Sequence, residues 1–287
     1  MWTILKVLQW TTGYFSRKEI EQPRANAEVL LAHVLGIERI QLYLRHDQPL
    51  LPAELAAYRE LVRRRAAREP TQYLTGKQEF WSLELEVTPA VLIPRPETEL
   101  LVEAALDALV SQPARVLDLG TGSGAIAIAI AHECPGVSVV ATDRSPAALE
   151  VAARNIRRHG LEDRIAPAAM LFFEALEPRS PAFDLIVSNP PYIGENEFPN
   201  LAPEVSRFEP SIALLGGGPE GLGAIRRILR DAPDFLKPGG AILLEIGHGQ
   251  ADLLEPELRG IPWIASFSFI EDYSGIRRTA RIMKRTE

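Results

Sequence analysis

The residues with the most explicit chemistry in this chain are Asn189-Pro190-Pro191-Tyr192. Two adjacent prolines remove two N–H donors and fix φ at about −65°. Each proline also drives the residue before it towards extended backbone, which constrains Asn189. The tetrapeptide follows an apolar, strand-like run at 184–188. It therefore forms a stiff turn at the C-terminal end of a strand, where open α/β sheets place their ligands. In such a turn the side-chain oxygen of Asn189 and the carbonyl of Pro190 can both accept hydrogen bonds. Two fixed acceptors suit a planar NH2 group, whose lone pair is delocalised and whose nitrogen must be aimed at its reaction partner. This is catalysis by position and electrostatics. A Pro-Pro pair alone would read as a turn capping a strand; the complete tetrapeptide, one strand beyond a glycine loop, reads as a site.

That loop is Asp118-Leu119-Gly120-Thr121-Gly122-Ser123-Gly124, between a strand-like run and a helix-like one. Glycines let the backbone pass close to a ligand, where a Cβ would intrude. Asp143 ends the next strand-like run, about 20 residues on, where a ribose-binding carboxylate belongs in this architecture. The spacing is G-x-G-x-G. It resembles the S-adenosyl-L-methionine loop of class I methyltransferases more than a dinucleotide fingerprint. No Gly-Lys-Ser/Thr is present, which excludes a P-loop NTPase.

Alternating elements must position these motifs. Residues 97–110 read as a helix, 115–119 as a buried strand, 125–132 as a helix, 137–142 as a strand and 147–159 as a helix. A strand at 184–188, a helix around 222–236 and strands at 241–246, 263–269 and 279–283 follow. The pattern predicts a mostly parallel, twisted Rossmann-like sheet with helices on both faces. The first 70 residues or so carry apolar residues at helical spacing, as at Val29, Leu30, Val34 and Leu35. Between the two regions Trp81, Leu83, Leu85 and Val87 alternate with polar residues, and Val91-Leu92-Ile93 suggests the partner of a linking β-hairpin. The expected organisation is a helical domain at 1–75, a hairpin linker at 76–95 and a catalytic domain at 96–287. Phe80 and Trp81 read as hairpin core. Arg63, Arg64, Arg65 and Arg68 read as a solvated helix end favoured by the helix dipole, with a patch for an acidic partner as the alternative.

Composition narrows the function classes. Hydrophobic residues make up 46% and charged residues 24% of 287, the balance of a globular protein. No apolar run approaches the roughly 20 residues of a membrane span, and the N-terminus reads as an ordinary helix, not a signal peptide. The single cysteine, Cys134, fits a reducing, cytoplasmic setting. Net charge is −7. Up to Glu86 there are 12 Lys and Arg against 11 Asp and Glu, leaving 19 against 27 for the remainder. An acidic catalytic half argues against direct binding to a DNA backbone. The five histidines, His33, His46, His132, His159 and His248, show no metal-ligand spacing, and no metal is expected.

The tetrapeptide and the glycine loop together resemble amino-methyltransferases acting on planar amines and amides. Further segments narrow the resemblance: Arg68 to Gly76 (REPTQYLTG), Glu79-Phe80-Trp81, Leu92 to Glu99 (LIPRPETE), Glu204 to Pro210 (EVSRFEP), Gly216 to Leu222 (GGGPEGL) and Leu244 to Gly247 (LEIG). Over nearly its whole length the chain resembles the protein-(glutamine-N5) methyltransferases of peptide chain release factors, the HemK/PrmC family. The resemblance implies a class I methyltransferase domain behind a small helical domain that helps dock a class 1 release factor. It implies S-adenosyl-L-methionine as cofactor, S-adenosyl-L-homocysteine as product and the glutamine of a Gly-Gly-Gln segment as acceptor. Carried over by position, Gly120, Thr121, Gly122, Ser123 and Gly124 hold the cofactor, Asp143 takes its ribose hydroxyls, and Asn189 to Tyr192 hold the acceptor glutamine. The family usually places an acid near the adenine after its third strand. Here Leu171 stands in that place, in Ala169 to Phe173 (AMLFF), and Phe172 remains to cover the ring. The loop around Arg95 and Glu97 reads either as a helix entry shaped by Pro94 and Pro96 or as a wall of the pocket. Three alternatives stay open: a glutamine methyltransferase of a ribosomal protein, a DNA adenine-N6 methyltransferase, which would need a basic DNA-reading region, and a non-catalytic module that kept the fold.

Overall fold

The computed structural model describes residues 1–109, 113–177 and 182–286. In chain order its elements are α1 (Ile4–Arg17), α2 (Pro23–Leu35), α3 (Arg39–Leu44), α4 (Pro52–Ala66) and α5 (Thr71–Thr75), then β1 (Lys77–Phe80) and β2 (Leu83–Glu86). There follow α6 (Glu99–Ala108), β3 (Ala114–Leu119), α7 (Ala125–Glu133), β4 (Val137–Asp143), α8 (Pro146–Arg158), β5 (Ile165–Ala169) and β6 (Phe183–Ser188). The last are α9 (Pro203–Phe208), α10 (Gly223–Asp231), β7 (Leu236–Glu245), α11 (Gln250–Arg259), β8 (Ile264–Glu271) and β9 (Arg277–Lys284). They pack as two units: Met1–Lys77 with Ala202–Phe208, and Gln78–Leu201 with Glu209–Glu287.

The first unit is helical. Its core gathers Ile4, Leu8 and Phe15 of α1, Leu30 and Leu31 of α2, and Tyr58 and Val62 of α4. Helix starts are marked in the sequence. The Thr3 hydroxyl accepts from the Lys6 N–H, and Pro23 and Pro52 occupy first turns, where a missing N–H costs nothing. The arginines at the end of α4 are a solvated face only in part: the Arg63 side chain is 70% exposed, whereas Arg65 is enclosed. Arg65 is buried and donates to Glu204 at 3.0 Å and to Asn26 at 2.8 Å. Arg64 pairs with Glu69, Arg63 with Glu60, and Arg68 with Glu204. The acids that claim them lie close by in the chain or, for Glu204, 136 to 139 residues away.

In the second unit a seven-stranded sheet runs in the order β5-β4-β3-β6-β7-β9-β8. β9 is antiparallel to both its neighbours; the other pairings are parallel. Helix α7 is apolar all round, Ala125 to Ala131 being buried throughout, as a helix enclosed against a sheet must be. From β3 the chain moves outwards to β4 and β5, then returns to lay β6 on the other side of β3. The crevice at the C-terminal ends of β3 and β6 is the topological switch point, where doubly wound sheets bind ligands. Leu119 and Ser188 end these strands in register, and the Ser188 hydroxyl donates to the Leu119 carbonyl at 2.7 Å.

Three sequence expectations need correction. The hairpin pairs β1 with β2 across Trp81 and Ser82, both left-handed at φ 54° and 57°, while Val91 and Ile93 are buried outside any strand. Two-residue hairpin turns usually advertise themselves by Asn-Gly or Asp-Gly, and Trp-Ser carries no such signal. Phe80 is core as expected; Trp81 is half-buried, and its indole donates to Glu133. The helix expected from 97 begins as a 3-10 turn at Pro96–Thr98, and Val110, its expected end, lies outside the described residues. Strand β5, Ile-Ala-Pro-Ala-Ala, carries no strand pattern of its own because alanine and proline are poor strand formers; a proline is tolerated there because β5 is an edge.

Candidate active site

The loop after β3 is held from several sides. The Thr121 N–H donates to the Thr142 carbonyl at 2.8 Å, and the Thr121 hydroxyl donates to Asp118 Oδ2 at 2.6 Å. Asp118 is fully buried, and burial pushes its carboxyl up to about 7. Asn155, buried on α8, donates to the Ser123 carbonyl at 2.8 Å and bonds both backbone groups of Glu86. No sequence motif pointed to Asn155; it is one polar residue within an amphipathic helix.

Asp143 closes the loop from the other side. Its Oδ2 accepts the Gly122 N–H at 3.0 Å and its Oδ1 the Ser145 N–H at 2.8 Å. Burial nonetheless raises its carboxyl above the usual range. Gly124 plays a different part from its neighbours. It caps α7 at φ 85°, and a Cβ there would lie 3.1 Å from Ile128 Cδ1, so it serves helix packing.

A cleft of about 390 Å³ opens above these residues. Gly120, Thr121, Gly122, Ser123, Asp143 and Phe172 line it together with Asn189 and Pro191; Gly124, Pro190 and Tyr192 are not among the lining residues. A Cβ added at Gly120 or Gly122 would meet no atom of the described residues within 4 Å beyond its chain neighbours, so both face open space that a ligand can fill. Leu171 also lines the cleft, and Phe172, left-handed at φ 55°, lies under the Arg227 guanidinium at 5.5 Å. Pro94 and Thr98 line it too, so the loop at 94–98 serves both as helix entry and as wall. Arg95 is tied to the buried Glu209, and Glu99 accepts the Trp81 N–H.

The tetrapeptide leaves β6 against a cradle of glycine backbone. A Cβ at Gly221 would stand 2.0 Å from the Tyr192 carbonyl oxygen, and one at Gly216 would stand 2.6 Å from that of Pro191. Neither position admits a side chain, which accounts for glycine at 216 and 221. The Asn189 side chain donates through Nδ2 to the Thr98 hydroxyl at 3.1 Å. Thr98 donates to Glu245 Oε2 at 2.6 Å, and the Tyr192 phenol donates to Glu245 Oε1 at 3.2 Å. Burial and the adjacent Glu245 carboxylate raise the Tyr192 phenol. Thr98 and Glu245 had lain unassigned within recognisable segments.

Residues 6–76 match the PrmC N-terminal domain and residues 96–204 the methyltransferase small domain. The release factor glutamine methyltransferase of Geobacter sulfurreducens is 48% identical over 88% of this chain and 87% of its own length. That of Rhodopirellula baltica is 44% identical over 99% and 97%, and that of Burkholderia pseudomallei 52% over 79% and 80%. This chain belongs to the release factor glutamine methyltransferase family. It is a methyltransferase with the class I fold. The fold alone is shared more widely: a Pyrococcus furiosus methyltransferase superposes with a TM-score of 0.52 at 24% identity, covering 71% of this chain and 89% of its own. A human methyltransferase 10 domain containing protein gives 0.53 at 20% identity, covering 72% and 90%. Among the described residues no helix is long and apolar enough to cross a membrane.

Proposed function

We propose that this methyltransferase moves a methyl group from S-adenosyl-L-methionine to the side-chain amide nitrogen, N5, of a glutamine in a class 1 peptide chain release factor. The observation that carries the reading is the setting of Asn189. Its Nδ2 is engaged by Thr98 and its residue lines the cleft, which leaves Oδ1 as an acceptor for the hydrogen of an incoming amide. The neighbouring Pro190, though not itself among the residues lining the cleft, would offer its carbonyl as the second acceptor, so that both hydrogens of a glutamine NH2 are held and its nitrogen aimed. Pro191 walls the same space. Tyr192, anchored through its phenol, keeps the turn rigid beside the acceptor.

The residues of the cleft suit the cofactor. Asp143 offers ribose hydroxyls the lone pairs left over from its two backbone bonds, and Gly120, Thr121, Gly122 and Ser123 present backbone to the amino-acid portion. Phe172 offers a face to the adenine in the absence of an acid at Leu171. The bound cofactor supplies an electrophilic sulfonium methyl. The helical unit is the natural docking surface for the release factor: its residues 1–77 carry 12 Lys and Arg against 8 Asp and Glu, unlike the acidic remainder, and it holds most of the large apolar side chains exposed among the described residues, including Trp10, Ile40, Leu44 and Leu51. A cytoplasmic location fits this substrate.

The test is transfer of label from radiolabelled S-adenosyl-L-methionine to three separate acceptors: a class 1 release factor, a ribosomal protein and duplex DNA. Label on the release factor alone is expected. Label on either of the others in its place refutes the proposal.

A further inference from the structure

Asn189 has a geometric weakness as an amide-holding residue. The oxygen and the NH2 of an asparagine side chain have nearly the same shape, so a half-turn about the last side-chain bond exchanges an acceptor for a donor. Presented the wrong way round, Asn189 would confront the substrate NH2 with its own NH2. Backbone position does not select between the two orientations. Something in the site must.

We infer that Thr98 and Glu245 are positioning residues which lock the Asn189 amide with its oxygen towards the acceptor nitrogen; the inference rests on the glutamine-methylation reading above. A threonine hydroxyl has one proton to give. The Thr98 Oγ1 donates to Glu245 Oε2 at 2.6 Å while the Tyr192 phenol donates to Oε1, so with the carboxylate accepting at both oxygens the Thr98 proton is committed to Glu245. What Thr98 has left for Asn189 is a lone pair, 3.1 Å from Nδ2. The reversed amide would set its oxygen against an oxygen with no hydrogen to share. The second carboxylate oxygen takes the only proton of the Tyr192 phenol at 3.2 Å. One buried carboxylate thus fixes both ends of the tetrapeptide, Asn189 through Thr98 and Tyr192 directly. The sheet explains why it can reach both: β6 and β7 run parallel with Ser188 opposite Leu244, so Glu245 ends β7 level with Asn189. Glu245 is 2% exposed, a costly place for a carboxylate that only packed.

The test compares Thr98→Val, which keeps the shape and removes the hydroxyl, with Thr98→Ser, which restores it. Thr98→Val should lower kcat on release factor on the order of tenfold or more, as loss of a positioning group does. Its affinity for S-adenosyl-L-homocysteine should stay at the wild-type value, and Thr98→Ser should recover kcat. Glu245→Gln, which puts one NH2 where two acceptors stood, should also lower kcat. A second readout needs no acceptor. In isotopically labelled protein the Asn189 side-chain NH2 signal, assigned by its absence from Asn189→Ala, should exchange slowly with solvent in wild type and Thr98→Ser and rapidly in Thr98→Val. Wild-type kcat or unchanged exchange in Thr98→Val would overturn the inference, as would an equal loss of kcat in Thr98→Ser. A wild-type enzyme silent on release factor would instead refute the functional reading, and the exchange measurement would still decide the role of Thr98.

Discussion

Asp143 and Gly122 are joined by a hydrogen bond of 3.0 Å, from the backbone N–H of the glycine loop to the acid that ends the next strand. The bond makes the loop and the acid one preorganised surface. Asp143→Ala should therefore weaken cofactor binding by more than the lost ribose contacts alone. The ribose contacts proposed for Asp143 would be charge-assisted bonds, worth about 1.5–3 kcal/mol each. Calorimetric titration of both proteins with S-adenosyl-L-homocysteine measures the effect. Equal affinities would move the ribose contact to another residue.

Asn189→Ala removes the acceptor while Thr98, Glu245 and Tyr192 keep their mutual bonds. Methyl transfer should fall on the order of 100-fold or more, with the protein folded and cofactor affinity little changed. Steady-state kinetics on release factor decides this, and near wild-type turnover would remove Asn189 from its role.

Asp118 predicts a pH dependence of stability. Its carboxyl sits at about 7 in the folded chain, against about 3.9 when unfolded. Between these values the folded chain holds a proton that the unfolded chain has released. The stabilisation is complete below about pH 4 and is lost as pH rises through 7. Asp118→Asn keeps an acceptor for Thr121 and cannot titrate. In ligand-free protein the fall in melting temperature from pH 5.5 to pH 8 should be smaller in this variant. Parallel curves would assign the whole slope to other groups.

Ile40 and Leu44 stand one helical turn apart on α3 and are 62% and 69% exposed. If the helical unit docks the release factor, replacing both with serine should raise KM for the whole protein several-fold. The melting temperature and the affinity for S-adenosyl-L-homocysteine should hold, because neither side chain contributes much to the core. Unchanged KM would take docking away from this face.

Much of this architecture was legible because its signals are local. Gly120 to Gly124, Asp143 and the tetrapeptide each declare a backbone requirement in consecutive residues, and the alternating apolar runs place them at strand ends. What escaped was non-local. Thr98 meets Glu245 across 147 positions and Asn155 meets Ser123 across 32. Nothing in either neighbourhood distinguishes these residues from ordinary helix and strand polar groups. The pairing of Arg65 with Glu204 was invisible for the same reason, and a run of arginines at a helix end then reads as solvated. The Trp81-Ser82 turn was hidden because its left-handed residues are not glycine or asparagine.

The most direct test of the central claim is to locate the methyl group. A class 1 release factor incubated with the enzyme and S-adenosyl-L-methionine should carry one added methyl, and fragment mass spectrometry should place it on the side-chain amide of a single glutamine, the one in its Gly-Gly-Gln segment. The Asn189→Ala enzyme should leave that glutamine unmodified under the same conditions. A methyl found on a lysine, an arginine or the main chain, or no methyl at all with active, folded enzyme, would contradict the account.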